Sequence, residues 1–224
     1  MGFAKFAREK LFKRTIIDAF HNLWYDSPET WLSATFLGFG VKQYPGDLFI
    51  YQQIIHANPP PFILQTGVSD GGSIVFFATL LDLIKAPPSA IVIGIDIELN
   101  ASAKRIDHPR VRLLEASSVD PATLDRVKAM LPAPAGMVSL DSDHAKDHVL
   151  KELIAYAPFV AKGAYLVCED TNVNGNPVHL GHGPGPYEAV QEFLKGNADF
   201  AHDPSVVRGQ LMSFHEHGWL KRVR

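Results

Sequence analysis

The spacing of hydrophobic positions changes at Phe62. Upstream, Phe3, Phe6, Ala7, Leu11, Ile16, Phe20 and Leu23 fall near one face of a helix running from Phe3 to about Trp24, with Lys5, Arg8, Lys13 and Arg14 elsewhere. Such a helix packs on the domain or on a second subunit, and its basic character also suits a membrane surface. Tyr25 to Asp47 is aromatic, contains glycine and has weak periodicity. That predicts a long irregular segment of the kind that covers active sites. Leu48 to His56 is predicted helical and ends before Asn58-Pro59-Pro60-Pro61, where the chain must be extended.

From Phe62 onward, short apolar runs alternate with helical patterns. Strands are predicted at Phe62–Gln65, Ala90–Ile95, Val111–Leu114, Gly136–Leu140 and Ala164–Cys168. Helices are predicted at Ser73–Ile84, Pro121–Met130, Ala145–Ala157 and Pro186–Leu194. The fold class is therefore α/β, with a doubly wound, mostly parallel sheet whose post-strand loops gather at one edge. Leu211–Phe214 and Trp219–Arg222, around His217-Gly218, predict a final antiparallel hairpin. Residues 1–61 read as a helical extension and possible lid, and residues 62–224 as the main domain.

Composition narrows the function classes. A chain of 224 residues, 46% apolar and 20% charged, holds one folded domain or two small ones and is not a disordered chain. A net charge of -3 argues against a nucleic-acid binder. Cys168 is the single cysteine, which excludes an internal disulfide and any multi-cysteine metal site and points to a reducing compartment. Arg8, Lys10, Lys13 and Arg14 interrupt any signal-peptide core, and no apolar run is long enough to span a bilayer. The expected location is the cytoplasm.

The first candidate site is Ile63-Leu64-Gln65-Thr66-Gly67-Val68-Ser69-Asp70-Gly71-Gly72-Ser73, a strand running into a glycine-rich turn and a helix. Gly67 permits a tight turn against a ligand. Gly71 and Gly72 leave free the amides at the helix start, where a carboxylate or phosphate binds. Asp96, at the end of the next strand, can accept hydrogen bonds from both hydroxyls of a ribose. Ser117 and Ser118 follow the third strand near the expected adenine position, although helix capping before Pro121 accounts equally well for Ser118 and Asp120. NAD and S-adenosylmethionine both fit Asp96. The spacing Gly-x-x-x-Gly-Gly, rather than Gly-x-Gly-x-x-Gly, favours the single carboxylate of S-adenosylmethionine over a pyrophosphate.

The second candidate site is acidic. Asp141 and Asp143 follow the fourth strand, and Glu169 and Asp170 follow the fifth. Carboxylates gathered at one sheet edge repel unless a cation neutralises them, and oxygen ligands suit Mg²⁺, Mn²⁺ or Ca²⁺. Asp141, Glu169 and Asp170 form the metal set, while Asp143 serves equally as a helix cap. A metal there fixes a substrate hydroxyl and lowers its pKa. His144 and Lys146, beside the cluster, are the leading candidate bases, followed by His179 and His182. Asn172 to Pro186 is too rich in glycine and proline for helix or sheet and reads as a loop able to cover a substrate.

These residues resemble the cephalosporin hydroxylase / rhamnosyl O-methyltransferase family. The resemblance covers roughly Phe62 to Arg222 and rests on Gly67-Val68-Ser69-Asp70-Gly71-Gly72-Ser73, Gly94-Ile95-Asp96-Ile97 and Ser117-Ser118. It continues through Leu140-Asp141-Ser142-Asp143-His144, Leu166 to Gly175, Gly183 to Val190 and Trp219-Leu220-Lys221-Arg222. It implies a Rossmann-like class I methyltransferase fold, an S-adenosylmethionine site that includes Gln65, Ser69, Ser73 and Asp141, and a Mg²⁺ site on Asp141, Glu169 and Asp170. It also implies a hydroxylated small-molecule substrate, a sugar or glycolipid among them, and assembly into homo-oligomers. One position departs from the methyltransferase pattern: Gln65 stands where an acid is common. An oxidoreductase, either a hydroxylase or an NAD-dependent dehydrogenase, and a non-catalytic cofactor-binding protein are the alternatives.

Overall fold

The computed structural model describes residues 3–224, with side chains from residue 10 onward, so the expectations for Phe3, Lys5, Phe6, Ala7 and Arg8 lie outside the described side chains. In chain order, the elements before the main alternation are α1 (Phe3–Tyr25), α2 (Pro28–Leu32), β1 (Thr35–Phe36), β2 (Phe39–Gly40) and α3 (Pro45–Ala57). Then follow β3 (Phe62–Thr66), α4 (Gly72–Leu83), β4 (Ile91–Asp96), β5 (Val111–Glu115), α5 (Pro121–Met130), β6 (Met137–Leu140), α6 (Lys146–Tyr156), β7 (Tyr165–Cys168), α7 (Pro186–Gly196), β8 (Phe200–His202) and β9 (Trp219–Arg222). From β3 to α7 the elements lie where the hydrophobic spacing predicts them.

One sheet of seven strands, in the order β5-β4-β3-β6-β7-β9-β8, organises the molecule. Strands β3 to β7 are mutually parallel, and β9 runs antiparallel to both β7 and β8. Side chains alternate across the sheet, as a period of two residues requires. Phe62, Leu64, Ile93, Ile95, Val138, Leu140, Leu166 and Leu220 enter one core with α6 and α7. Ile63, Val92, Met137, Val167 and Trp219 enter the other with α3 and α4. The helices start where local chemistry dictates. Asp120 Oδ1 accepts from Ala122 N–H at 3.0 Å ahead of α5, and Glu188 Oε2 accepts from Gly185 N–H at 2.7 Å ahead of α7. The chain order reverses between β3 and β6, which opens a crevice at the carboxyl ends of these strands.

Three expectations are corrected. The terminal hairpin does not include Leu211–Phe214. Strand β9 pairs with β8 and β7, while residues 211–218 turn inward, with Leu211 at φ 66 and Phe214 and His215 buried. The stretch Tyr25–Asp47 is not wholly irregular, since it holds α2, the β1–β2 pair and the start of α3. The apolar face expected on α1 is not packed on the domain: Leu11, Ile16 and Leu23 are exposed. The end of α1 is held instead by an aromatic cluster in which Trp24, Tyr25 and Tyr44 surround Phe214.

The β1–β2 pair sits on the start of α4 through a backbone contact. A Cβ at Gly72 would lie 2.3 Å from the carbonyl oxygen of Gly40, and one at Gly40 would meet Asp70 at 2.9 Å. Gly72→Ala is expected to cost about 1–3 kcal/mol through this overpacking, read as a lower urea midpoint with an unchanged m-value. A wild-type midpoint would show that the contact is easily relaxed.

Candidate active site

The crevice opens into a cavity of about 630 Å³ lined by the loops that follow β3, β4, β5, β6 and β7. The end of α1, α2 and the segment after β2 roof it with Trp24, Tyr25, Trp31 and Val41–Gln43. Of the expected cofactor residues, Gln65, Gly67, Ser69, Ser73, Asp96, Ser117, Ser118 and Asp141 line this cavity.

All but Ser73, in the first turn of α4, are positioned by the end of a strand or the loop that follows it. Gly67, at φ 79, lies so close to the backbone of Asp141 that a Cβ there would stand 1.7 Å from the Asp141 carbonyl oxygen. This close approach brings the loops after β3 and β6 together. Asp96 Oδ2 accepts from Val68 N–H at 2.7 Å and Ser69 N–H at 3.0 Å, and Oδ1 accepts from Glu98 N–H at 3.2 Å. Gln65 Nε2 donates to the Gly67 carbonyl at 2.8 Å, leaving Gln65 Oε1 buried without a partner.

Gly71 and Gly72 differ from their expected role. The Gly71 amide donates to the Val68 carbonyl at 2.9 Å, and its Cα faces Ile106. Gly72 faces the backbone of Gly40. Neither lines the cavity; both make room for packing.

The acidic site divides in two. Asp141 and Asp170 converge with His144, and the three offer ligand atoms that all lie within 4.8 Å of one another. His144 Nε2 is 3.5 Å from Asp170 Oδ2 and 3.9 Å from Asp141 Oδ1. Burial and the neighbouring Glu169 push the Asp141 carboxyl up to about 8. Burial pulls His144 down, but Asp141 and Asp170 outweigh it and raise the imidazole to about 9. Both shifts describe a site short of positive charge.

Glu169 points inward rather than joining that group. Its carboxylate accepts from Tyr51 Oη at 2.7 Å, from Ser139 Oγ and from Gln43 Nε2. These bonds and His215 outweigh burial and hold Glu169 below its ordinary value. His215, fully buried, links the two halves. Its Nδ1 lies 2.7 Å from the Asp170 backbone N–H. Its Nε2 lies 3.3 Å from Glu169 Oε2 and 3.6 Å from Asp47 Oδ2. Asp170 itself sits at φ 50, a conformation that the contact with His215 Nδ1 helps to fix.

Lys146 is removed from the candidate bases. It sits in the first turn of α6 and reaches out to Glu192 on α7 at 2.6 Å, away from the cavity. His179 packs on Tyr25 at 5.2 Å between ring centroids, His182 is exposed, and neither lines the cavity. Asp143 accepts from Ala145 N–H at 2.5 Å, which supports the turn into α6. The loop 172–185 contains neither helix nor strand and is tethered by Asn174 Nδ2 to the His144 carbonyl at 3.1 Å.

The residue pattern did not single out Lys42, Gln43, Tyr51, His148 or His215. His148 Nε2 lies 3.3 Å from Ser118 Oγ and 3.2 Å from Ser142 Oγ at the end of the cavity below β5. Tyr51 sits on the α3 pattern as an ordinary core position, and the others carry no periodic signal.

Known proteins share this chain's sequence and fold. The rhamnosyl O-methyltransferase of Mycobacterium tuberculosis (strain ATCC 25618 / H37Rv) is 32% identical over 206 residues, covering 89% of this chain and 83% of that protein. The rhamnosyl O-methyltransferase of Mycobacterium leprae (strain TN) is 30% identical over 214 residues, covering 93% and 91%. A solved CmcI structure, described as its Mg-SAM form, superposes with a TM-score of 0.60 at 19% identity, covering 86% of this chain and 78% of that one, which shows the shared fold. Residues 28–223 match the family described as Rhamnosyl O-methyltransferase/CmcI. The protein, with its mostly parallel sheet, its crevice at the strand reversal and its match over most of the length of these enzymes, is a methyltransferase that belongs to the rhamnosyl O-methyltransferase/CmcI family.

Proposed function

We propose that this protein transfers a methyl group from S-adenosylmethionine to a hydroxyl of a sugar or sugar-bearing small molecule, with Mg²⁺ at Asp141 and Asp170. The observation that carries the reading is the single cavity that joins a nucleoside-type wall to an under-neutralised acidic cluster. The residues fit both groups. Asp96 offers carboxylate oxygens at the end of β4, Ser117 and Ser118 line the adjoining wall, and Gln65 Oε1 is a buried acceptor in need of a donor. The raised Asp141 carboxyl and the convergence of Asp141 and Asp170, whose ligand atoms lie within 4.8 Å beside His144, suit a divalent cation held by carboxylate oxygens. Glu169, expected as a third ligand, is turned inward onto Tyr51, Ser139 and Gln43 and supports the loop that carries Asp170.

When bound, the metal supplies a positive charge that lowers the pKa of a coordinated hydroxyl and sets its direction. The chain's own residues do the rest. Asp141 and Asp170 orient, the aromatic roof of Trp24, Tyr25 and Trp31 excludes water, and His144 stands next to the carboxylates as the candidate proton acceptor once the site's charge is balanced. The curated relatives named for rhamnosyl methylation support a sugar acceptor for this chain.

The test is transfer of labelled methyl from S-adenosylmethionine to rhamnose-bearing glycosides, with and without EDTA. Transfer that EDTA abolishes and Mg²⁺ restores is expected. Transfer indifferent to EDTA would remove the metal from the reading, and S-adenosylhomocysteine that fails to bind at millimolar concentration would remove the methyl donor.

A further inference from the structure

A cation is the natural partner for an amino-acid carboxylate in this cavity, and the glycine-rich turn carries none while three of its amides are already bonded. Its Val68 and Ser69 amides are held by Asp96, and its Gly71 amide by the Val68 carbonyl. Gly71 and Gly72, the expected anion cradle, face Ile106 and Gly40 instead. Among the described residues, Lys42 is the one lysine or arginine that lines the cavity.

Lys42 follows β2, so the Gly40–Gly72 backbone contact delivers it to the turn. Its Nζ donates to Ser69 Oγ at 3.0 Å, while the nearest carboxylate oxygen, on Asp70, stands off at 3.9 Å. An ammonium has three N–H donors, so Lys42 retains capacity for an anion. Gln65 complements it on the same wall. Because Gln65 Nε2 is committed to the Gly67 carbonyl, Oε1 is left as a buried, unpartnered acceptor.

We infer that Lys42 binds the carboxylate of the methyl donor's amino-acid end, with Gln65 Oε1 accepting from its ammonium. The inference rests on the S-adenosylmethionine reading above. It explains how a neutral glutamine serves where an acid is common: the wall meets the zwitterion with one cation and one side-chain carbonyl. Lys42 makes this a binding position contributed by the segment before the main domain.

The experiment compares two ligands on the full chain by calorimetry. S-adenosylhomocysteine carries the amino-acid end; 5′-methylthioadenosine has the same nucleoside and thioether but lacks it. Lys42→Met is expected to weaken S-adenosylhomocysteine by about tenfold or more, the size of one charge-assisted hydrogen bond, and to leave 5′-methylthioadenosine within about twofold. Lys42→Arg is expected to retain most of the affinity. Equal losses for both ligands, or no loss for either, would overturn the assignment of Lys42. A wild-type protein that binds neither ligand would overturn the methyl-donor reading itself, a separate result. Lys42 is about half exposed, so its replacement leaves the core intact.

Discussion

Asp141→Asn is expected to make the metal-free protein more heat-stable at pH 8 while reducing turnover on the order of 10³-fold, the scale of a metal's contribution to a developing alkoxide. The two effects have one cause. Burial and Glu169 push the Asp141 carboxyl from 3.8 to about 8. The folded protein therefore holds a proton that the unfolded chain releases, so this contribution to stability is complete below pH 3.8 and is lost as the pH rises to about 8. His144 acts in the same direction in a higher window, because its imidazole is raised from 6.5 to about 9. An asparagine at position 141 cannot ionise, so the variant's melting temperature should fall less between pH 5 and pH 8. Mg²⁺ should raise the melting temperature of the wild type at pH 8 and not that of the variant. Parallel pH profiles for the two proteins would show that Asp141 bears no such strain.

His215→Ala is expected to cost about 3–5 kcal/mol, the range for removing one partner from a buried charged group. The loss would leave Glu169 without the nitrogen at 3.3 Å, Asp47 without the one at 3.6 Å, and the Asp170 amide without its acceptor at 2.7 Å. Urea denaturation measures the effect. His215→Asn offers an acceptor near the Nδ1 position and should recover Mg²⁺ affinity better than it recovers stability, since it supports Asp170 but not Glu169. A wild-type urea midpoint for His215→Ala would contradict the role given to this ring.

The sheet was legible because its strands are short, nearly continuous apolar runs, as strands covered on both faces are, set between helical patterns, with breaks at Gly67, Asp120-Pro121 and Gly185-Pro186. The loops carrying Asp96, Ser117 and Asp141 follow directly from that register, and these residues do line one cavity. What the pattern could not supply was tertiary. Gly71 and Gly72 read as an anion cradle because glycine permits close approach, but what approaches is Ile106 and the Gly40 backbone, from distant parts of the chain. Glu169 and Asp170 are adjacent in sequence, yet the positive φ at Asp170 sends their carboxylates in different directions. Lys42 and His215 lie in segments without periodicity, where no neighbour in sequence hints at their partners. The apolar positions of α1 were read as a face for the domain or for a second subunit; Leu11, Ile16 and Leu23 do not meet the domain.

Strand β9 is the last element of the chain and lies between β7 and β8, with Gly218 so close to the Cys168 carbonyl that a Cβ would stand 1.8 Å from it. During synthesis, then, the loops that bear Asp141 and Asp170 emerge well before the strand and the histidine that brace them. The nascent chain carries an unclosed sheet edge along β7 until residues 215–222 have left the ribosome. A chain halted short of that point has the sequence of the acidic site without the scaffold that orients it, so the competence of the site waits on residues 215–222.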